Sequence, residues 1–403
     1  MASTYSGVLS APASTGSASF TGFGFTPKFV ILTCTYQTTA NTDETNAYWC
    51  QSFMTAATQI CLGHSSQHGV SGSQNVTGTY SATALLLKNY SASTVLAATL
   101  VSFDSDGITL NFTTTSSGVK IGCFAIGGSG VTDAYIKTVT PKGSTGTQIS
   151  TGVGFAADFM LSMAHAYASG TETNGYTGFG LCDSSLNQGC NVGFSDSGSL
   201  DNTGVWYNNK FVATTQSGLS IEQEASVSAI SSDGFTLNYT TSTSTQGAIY
   251  VACIKTASGS AKVGTVTDKT TTTGTVAVTG VGFTPNALLI LDNASGQNSG
   301  SAVLGNYMML GACGPTVSNA CVFGATSWGV KNSVAYRYYN TNQIIRNNVD
   351  AAKASLQSYD ASGFTLNYTV VSVSGKARPY LALDIPASAG SSHKPGMSLL
   401  GVG

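Results

Sequence analysis

The residues of this chain that could do chemistry are few and scattered. Its 403 residues include four histidines, nine cysteines and 18 acidic residues. His64 and His68 stand four apart, a spacing at which two imidazoles can share a metal when they lie on a helix. The segment Gly63-His64-Ser65-Ser66-Gln67-His68-Gly69 reads instead as a loop, and it lacks the glutamate of an HExxH site. Two exposed loop imidazoles are expected there, the alternative being a threefold metal site built across subunits. Cys182 and Cys190 are eight apart, as are Cys313 and Cys321, which suits partners facing each other across a hairpin. The first third of the chain keeps Cys61 but has Phe53 in the partner position. No export signal points to an oxidising compartment, so free thiols are the expectation and those two pairs the place for any disulfide. Cys123 and Cys253 sit in apolar stretches and read as small buried hydrophobes. No CxxC or Cys/His pair has zinc-finger spacing.

Carboxylates give little more. Glu222 and Glu224 fall on one face of an expected strand, but no second acid of matching context recurs, so a glycosidase pair is not supported. No GxSxG nucleophile elbow is present. The glycines of a repeated GxGF segment lack the third glycine of a dinucleotide loop, with Pro27, Ala157 and Pro285 in its place, and a strand follows rather than a helix. No catalytic residue, cofactor or metal is therefore assigned, and an enzyme is not expected.

What must position these residues is an all-β framework. Only 8% of residues are charged, against roughly a quarter in an average soluble domain. Ser, Thr, Gly and Asn take those positions, while 18 Tyr and 17 Phe argue for a folded chain. Thr, Val, Tyr and Phe favour pleated surfaces. A net charge of −2 gives no electrostatic reason to bind nucleic acid or an anionic membrane. No apolar run approaches the roughly 18 residues of a membrane span, and the first residues lack a secretory signal.

Two patterns recur three times. The first reads TG-x4-TG-x-GF at Thr15–Phe25, Thr145–Phe155 and Thr273–Phe283, with apolar strands following at Lys28–Leu32, Asp158–Leu161 and Ala287–Leu291. The second is Asp106-Gly107-Ile108-Thr109-Leu110-Asn111-Phe112-Thr113, with counterparts at Asp233–Thr240 and Ser362–Thr369. There a tight glycine turn opens a strictly alternating strand. A last apolar strand ends each unit, at Ile121–Ile126, Ile249–Ile254 and Tyr380–Leu383. Near-constant spacing between the patterns predicts three tandem antiparallel β-sandwich or jelly-roll-like units at 1–128, 129–257 and 258–386, followed by a tail at 387–403. The best helix candidate is Asn348–Gln357. Asn111, Asn238 and Asn367 each begin an N-x-T, but their place in an alternating strand favours solvent-side strand positions over glycan sites.

Aromatics cluster midway through the units: Tyr80, then Trp206-Tyr207, then Tyr336-Arg337-Tyr338-Tyr339. They suit a sandwich core, an interface or sugar stacking. Trp206, Tyr207, Tyr336 and Tyr338 are the interface candidates. They are joined by Met397, Leu399 and Leu400 if the tail is an arm that docks on a neighbour rather than a disordered end.

The two patterns resemble small β domains of tailed-bacteriophage virion proteins, in which T-G-[FV]-G-F-x-P opens the domain and D-G-F-T-L-N-[YF]-T comes near its end. Ala157 replaces the proline in the second unit and Ser362 the aspartate in the third. The resemblance implies a virion component assembled in the host bacterial cytoplasm. A capsid decoration (cement) or head-associated role is expected, with the major capsid protein or tail components as partners and possible self-association as a homo-oligomer. The alternative is a tail-fibre or receptor-binding adhesin for a host surface glycan.

Overall fold

The computed structural model describes residues 3–386, apart from 70–75, 166–169, 173–174, 196–202, 217–219, 244–246, 258–259, 292–302, 305, 329–333, 347–351 and 373–374. It is all-β and antiparallel throughout, and the described residues hold only short 3₁₀ turns as helix.

The first unit supplies eleven strands: β1 (Thr4–Ser10), β2 (Gly16–Thr21), β3 (Pro27–Cys34), β4 (Thr42–Thr45), β5 (Ala47–Met54), β6 (Gln59–Ser66), β7 (Val76–Ser81), β8 (Leu85–Lys88), β9 (Thr94–Asp104), β10 (Gly107–Thr114) and β11 (Lys120–Gly127). One sheet runs β1-β11-β3-β5-β6-β7 and the facing sheet β2-β10-β9-β8. The second and third units repeat this order, so the motif strands take equivalent places in all three sheet pairs.

The alternation of β10 comes out as its pattern demands. Ile108, Leu110 and Phe112 enter the core between the two sheets, as do Phe235, Leu237 and Tyr239 in the second unit and Phe364, Leu366 and Tyr368 in the third. Asn111, Asn238 and Asn367 are half-buried on the outer face. The β3 run Phe29-Val30-Ile31-Leu32 is apolar without alternation because both its faces are covered. Val30 and Leu32 point into the sandwich, whereas Phe29 and Ile31 point the other way. There they meet Phe159, Leu161 and Met163 of the second unit and Leu289 and Leu291 of the third, in one core shared by the three large sheets. The Phe53 and Phe179 rings meet edge-on in this core at 5.6 Å.

The two repeated patterns, some 80 residues apart in sequence, meet in space. The Asp106 carboxylate accepts the N–H groups of Gly22 (3.0 Å) and Gly24 (2.5 Å). Asp233 does the same for Gly152 (3.1 Å) and Gly154 (2.8 Å). Gly107 itself is obligatory, since a Cβ there would lie 1.8 Å from the Phe20 carbonyl oxygen. In the third unit only the Ser362 hydroxyl is available, accepting from Gly282 at 3.3 Å. The glycine N–H bonds hold both carboxyls below their ordinary range. Their stabilising contribution is present above the unfolded-state pKa and is lost as pH falls through the folded one. Asp106→Ala and Asp233→Ala are each expected to lower the urea midpoint more than Ser362→Ala does. Equal losses at the three sites would show that the carboxylate bonds contribute nothing special.

The helix expected at Asn348–Gln357 is not formed in its described part. Lys353–Asp360 is a strand, because Ala354 and Leu356 alternate into the third sandwich core beside Leu366 and Tyr368.

Candidate functional site: the strand-exchange seams

Between the third and fourth strands of its large sheet, each unit sends out a short segment that joins a neighbouring sheet. Gly170–Glu172 of the second unit pairs with β7 of the first. Val303–Leu304 of the third unit pairs with Thr203–Tyr207 of the second. β4 of the first unit pairs with Val334–Thr341 of the third and closes the circle. Every large sheet thus has seven strands, six of its own and one received. The three sheet pairs form a closed ring with pseudo-threefold character around the shared core.

The seams differ chemically. The seam between the third and first units is ionic: Arg337 pairs with Glu44, and Arg346 with Asp43. Arg337 lies 4.7 Å from the Tyr48 ring centroid, and Asn340 Nδ2 donates to Asn41 Oδ1 at 2.8 Å. Gln37 Nε2 reaches across to the Arg337 carbonyl at 3.4 Å. The seam between the first and second units is aromatic, with His165 stacked at 4.7 Å on Tyr80 and at 5.9 Å from Tyr250. Between the second and third units, the Val263 N–H donates to Asp183 Oδ2 at 2.9 Å. Open grooves run along two of the described seams. One of ≈ 310 Å³ lies between Tyr5–Val8 and Tyr339–Asn342, and one of ≈ 300 Å³ between Leu186–Gly189 and Val263–Thr265.

The residues singled out in sequence fall as follows. Tyr207 and Tyr338 are buried inside the chain, which corrects their assignment to an exposed interface. Both rings fill apolar interior, and their hydroxyls are satisfied there, Tyr207 donating to Glu224 and Tyr338 to the Arg346 carbonyl. Tyr336 is half-buried at the third–first seam, opposite Thr45 and 4.9 Å from the His68 ring. Trp206 lies on the strand that receives Val303–Leu304. Met397, Leu399 and Leu400 lie outside the described residues.

The histidine loop is also corrected. His64 is a buried residue of β6, and burial lowers its pKa to about 4. His68 is bound to the backbone of Ala335, its Nδ1 accepting the N–H at 3.0 Å. Among the described residues no cluster of His, Cys, Asp or Glu could hold a metal. Glu224 accepts hydroxyls from Tyr207, Thr240 and Thr241, a structural use of that carboxylate. All nine cysteines are buried and free. Cys321 lies opposite Ala312, so Cys313 is one residue out of register and points to the other face of the sheet. Cys190 lies opposite Gly180, two residues from Cys182, a diagonal offset too long for a disulfide. Spacing in sequence missed the pair that does face across a ladder, Cys34 and Cys50, which are 16 residues apart. The intervening arm hides their proximity.

No helix among the described residues is long and apolar enough to cross a membrane. Compared with known proteins, the chain matches no family model, no curated protein and no solved structure.

Proposed function

We propose that this chain is a structural component of a bacteriophage particle, a capsid decoration (cement) protein seated on the major capsid protein at a threefold or local threefold position. The observation that carries this reading is the closed ring. Three alike sheet pairs, exchanging strands around one core, give a single chain the symmetry that homotrimers usually supply with three. A partner surface with threefold symmetry then meets three similar surfaces at once. Each added contact is intramolecular in effect, so weak uncharged contacts can sum to stable attachment. The low charge fits this role, because copies packed densely on a shell repel one another little. The role is one of binding and stabilising rather than catalysis.

The test is where the protein sits in purified particles. One chain per threefold or local threefold position on the head is the expected result. Location at the tail tip, with specific binding to a host surface glycan, would overturn the reading in favour of an adhesin. Removing residues 387–403 is expected to lower occupancy on the particle if the tail is an anchoring arm; unchanged occupancy would confine attachment to the ring.

A further inference from the structure

The ring is held by the chain itself at two seams. The polypeptide runs from the first unit to the second and from the second to the third, in addition to the exchanged strands. At the third–first seam, beside direct contacts such as Ser6 Oγ to the Ala312 carbonyl, the exchanged strand is carried by one excursion of the chain, residues 35–49, which leaves β3, places β4 on the third unit's sheet and returns as β5.

Cys34 and Cys50 sit at the two feet of that excursion and are register partners on β3 and β5. Directly opposed residues of an antiparallel pair project from the same face with Cα atoms about 4.5–5.5 Å apart, within the span of a disulfide. Both side chains are fully buried in the first sandwich core. Cys61 approaches from β6, but its register partner is Ser52, which makes it a diagonal neighbour of Cys50 at about 7–8 Å, beyond that span. Hydrogen bonds with Cys34 and Cys61, together with burial, hold the Cys50 thiol well above its ordinary range, so the closed form is unreactive.

We propose that Cys34 and Cys50 form a redox-controlled staple at the root of the ring-closing arm. The oxidant is a small disulfide such as oxidised glutathione. When the arm opens, one cysteine thiolate attacks a glutathione sulfur, forming a mixed disulfide and releasing one glutathione thiol. The second cysteine thiolate then attacks the protein sulfur of that mixed disulfide, making the Cys34–Cys50 bond and releasing the second glutathione. Two protein thiols are oxidised and one glutathione disulfide is reduced, with the two protons ending on the released thiols. The bond closes a loop of about 15 residues and removes the freedom of the arm to open.

The experiment refolds the full chain from urea in oxidised glutathione and maps its peptides without reduction. The expected product joins the Cys34 and Cys50 peptides, and seven of the nine cysteines still titrate as thiols after unfolding. In the oxidised protein, amide exchange at Thr42–Thr45 is expected to slow about 10- to 100-fold, and dithiothreitol should reverse it. Cys34→Ala and Cys50→Ala should abolish the slowing, and Cys61→Ala should keep it. Nine free thiols, a bridge made through Cys61, or a Cys34–Cys50 bond that leaves exchange at Thr42–Thr45 unchanged would each overturn the proposal. The peptide map of the unsubstituted protein decides the linkage even if a variant fails to fold.

Discussion

Replacing Arg378 by alanine is expected to cost about 3–5 kcal/mol, enough to unfold the third sandwich under mild denaturant. Arg378 lies on the last strand of its unit, Ala377–Asp384, and both it and Asp268 have side chains 0% exposed. Its Nε donates to both Asp268 oxygens, at 2.9 and 3.0 Å, and its Nη2 donates to Oδ2 at 2.8 Å. The Tyr368 hydroxyl donates to Oδ1 at 2.9 Å. The carboxylate is therefore well satisfied, and removing the guanidinium would strand a negative charge in an apolar core. The cost arises from that stranded charge more than from any net gain of the pair. The double variant Asp268→Leu/Arg378→Met should accordingly recover most of the loss. Urea midpoints of the two variants measure this. A single variant within about 1 kcal/mol of the parent would mean that water reaches the pair and screens it.

This cluster belongs to the third unit, and so does the ionic seam that its Arg337 and Arg346 make with the first. The repeated motifs build three similar scaffolds, and the differences lie in what joins them. That division explains what could be read from the residues alone. The turn glycines and the alternating strand around Asn111 were legible because their period and turn chemistry are local. The run Phe29-Val30-Ile31-Leu32 announced a buried strand, but nothing in it says that its second face belongs to a core shared with two other units. The exchanged strand Thr42-Asp43-Glu44-Thr45 has no apolar alternation at all; its strand state is imposed by the edge of Val334–Thr341 and by two arginines some 300 residues away. Tyr207 and Tyr338 looked like anchors for a partner because aromatics serve cores and interfaces alike, and burial depends on tertiary neighbours that spacing does not encode. Lys353–Gln357 carries helix-compatible residues, yet ladder pairing with the alternating strand Gly363–Val370 decides its state.

Acid should weaken the ring before it protonates most carboxylates. Burial lowers the pKa of both His64 and His165 from 6.5 to about 4. In the unfolded chain each imidazole takes up a proton near pH 6.5, whereas in the folded protein it stays neutral until about pH 4. The unfolded state thus binds more protons throughout that window. The stability contribution is full above pH 6.5, is lost progressively as pH falls, and is gone below about 4. At roughly 1.4 kcal/mol per pKa unit, each histidine accounts for about 3 kcal/mol across the window, a large fraction of a typical domain's stability. His165 makes the sharper test, because it is stacked at the first–second seam with Tyr80 and Tyr250, whose rings are themselves 5.4 Å apart. His165→Phe keeps a flat ring in that stack and removes the titrating group. Urea midpoints between pH 7 and 4 should fall less steeply in this variant than in the parent, with His64 supplying the remaining slope. Parallel pH profiles for the two proteins would mean that His165 is reached by water in the folded state and titrates there as it does in the open chain.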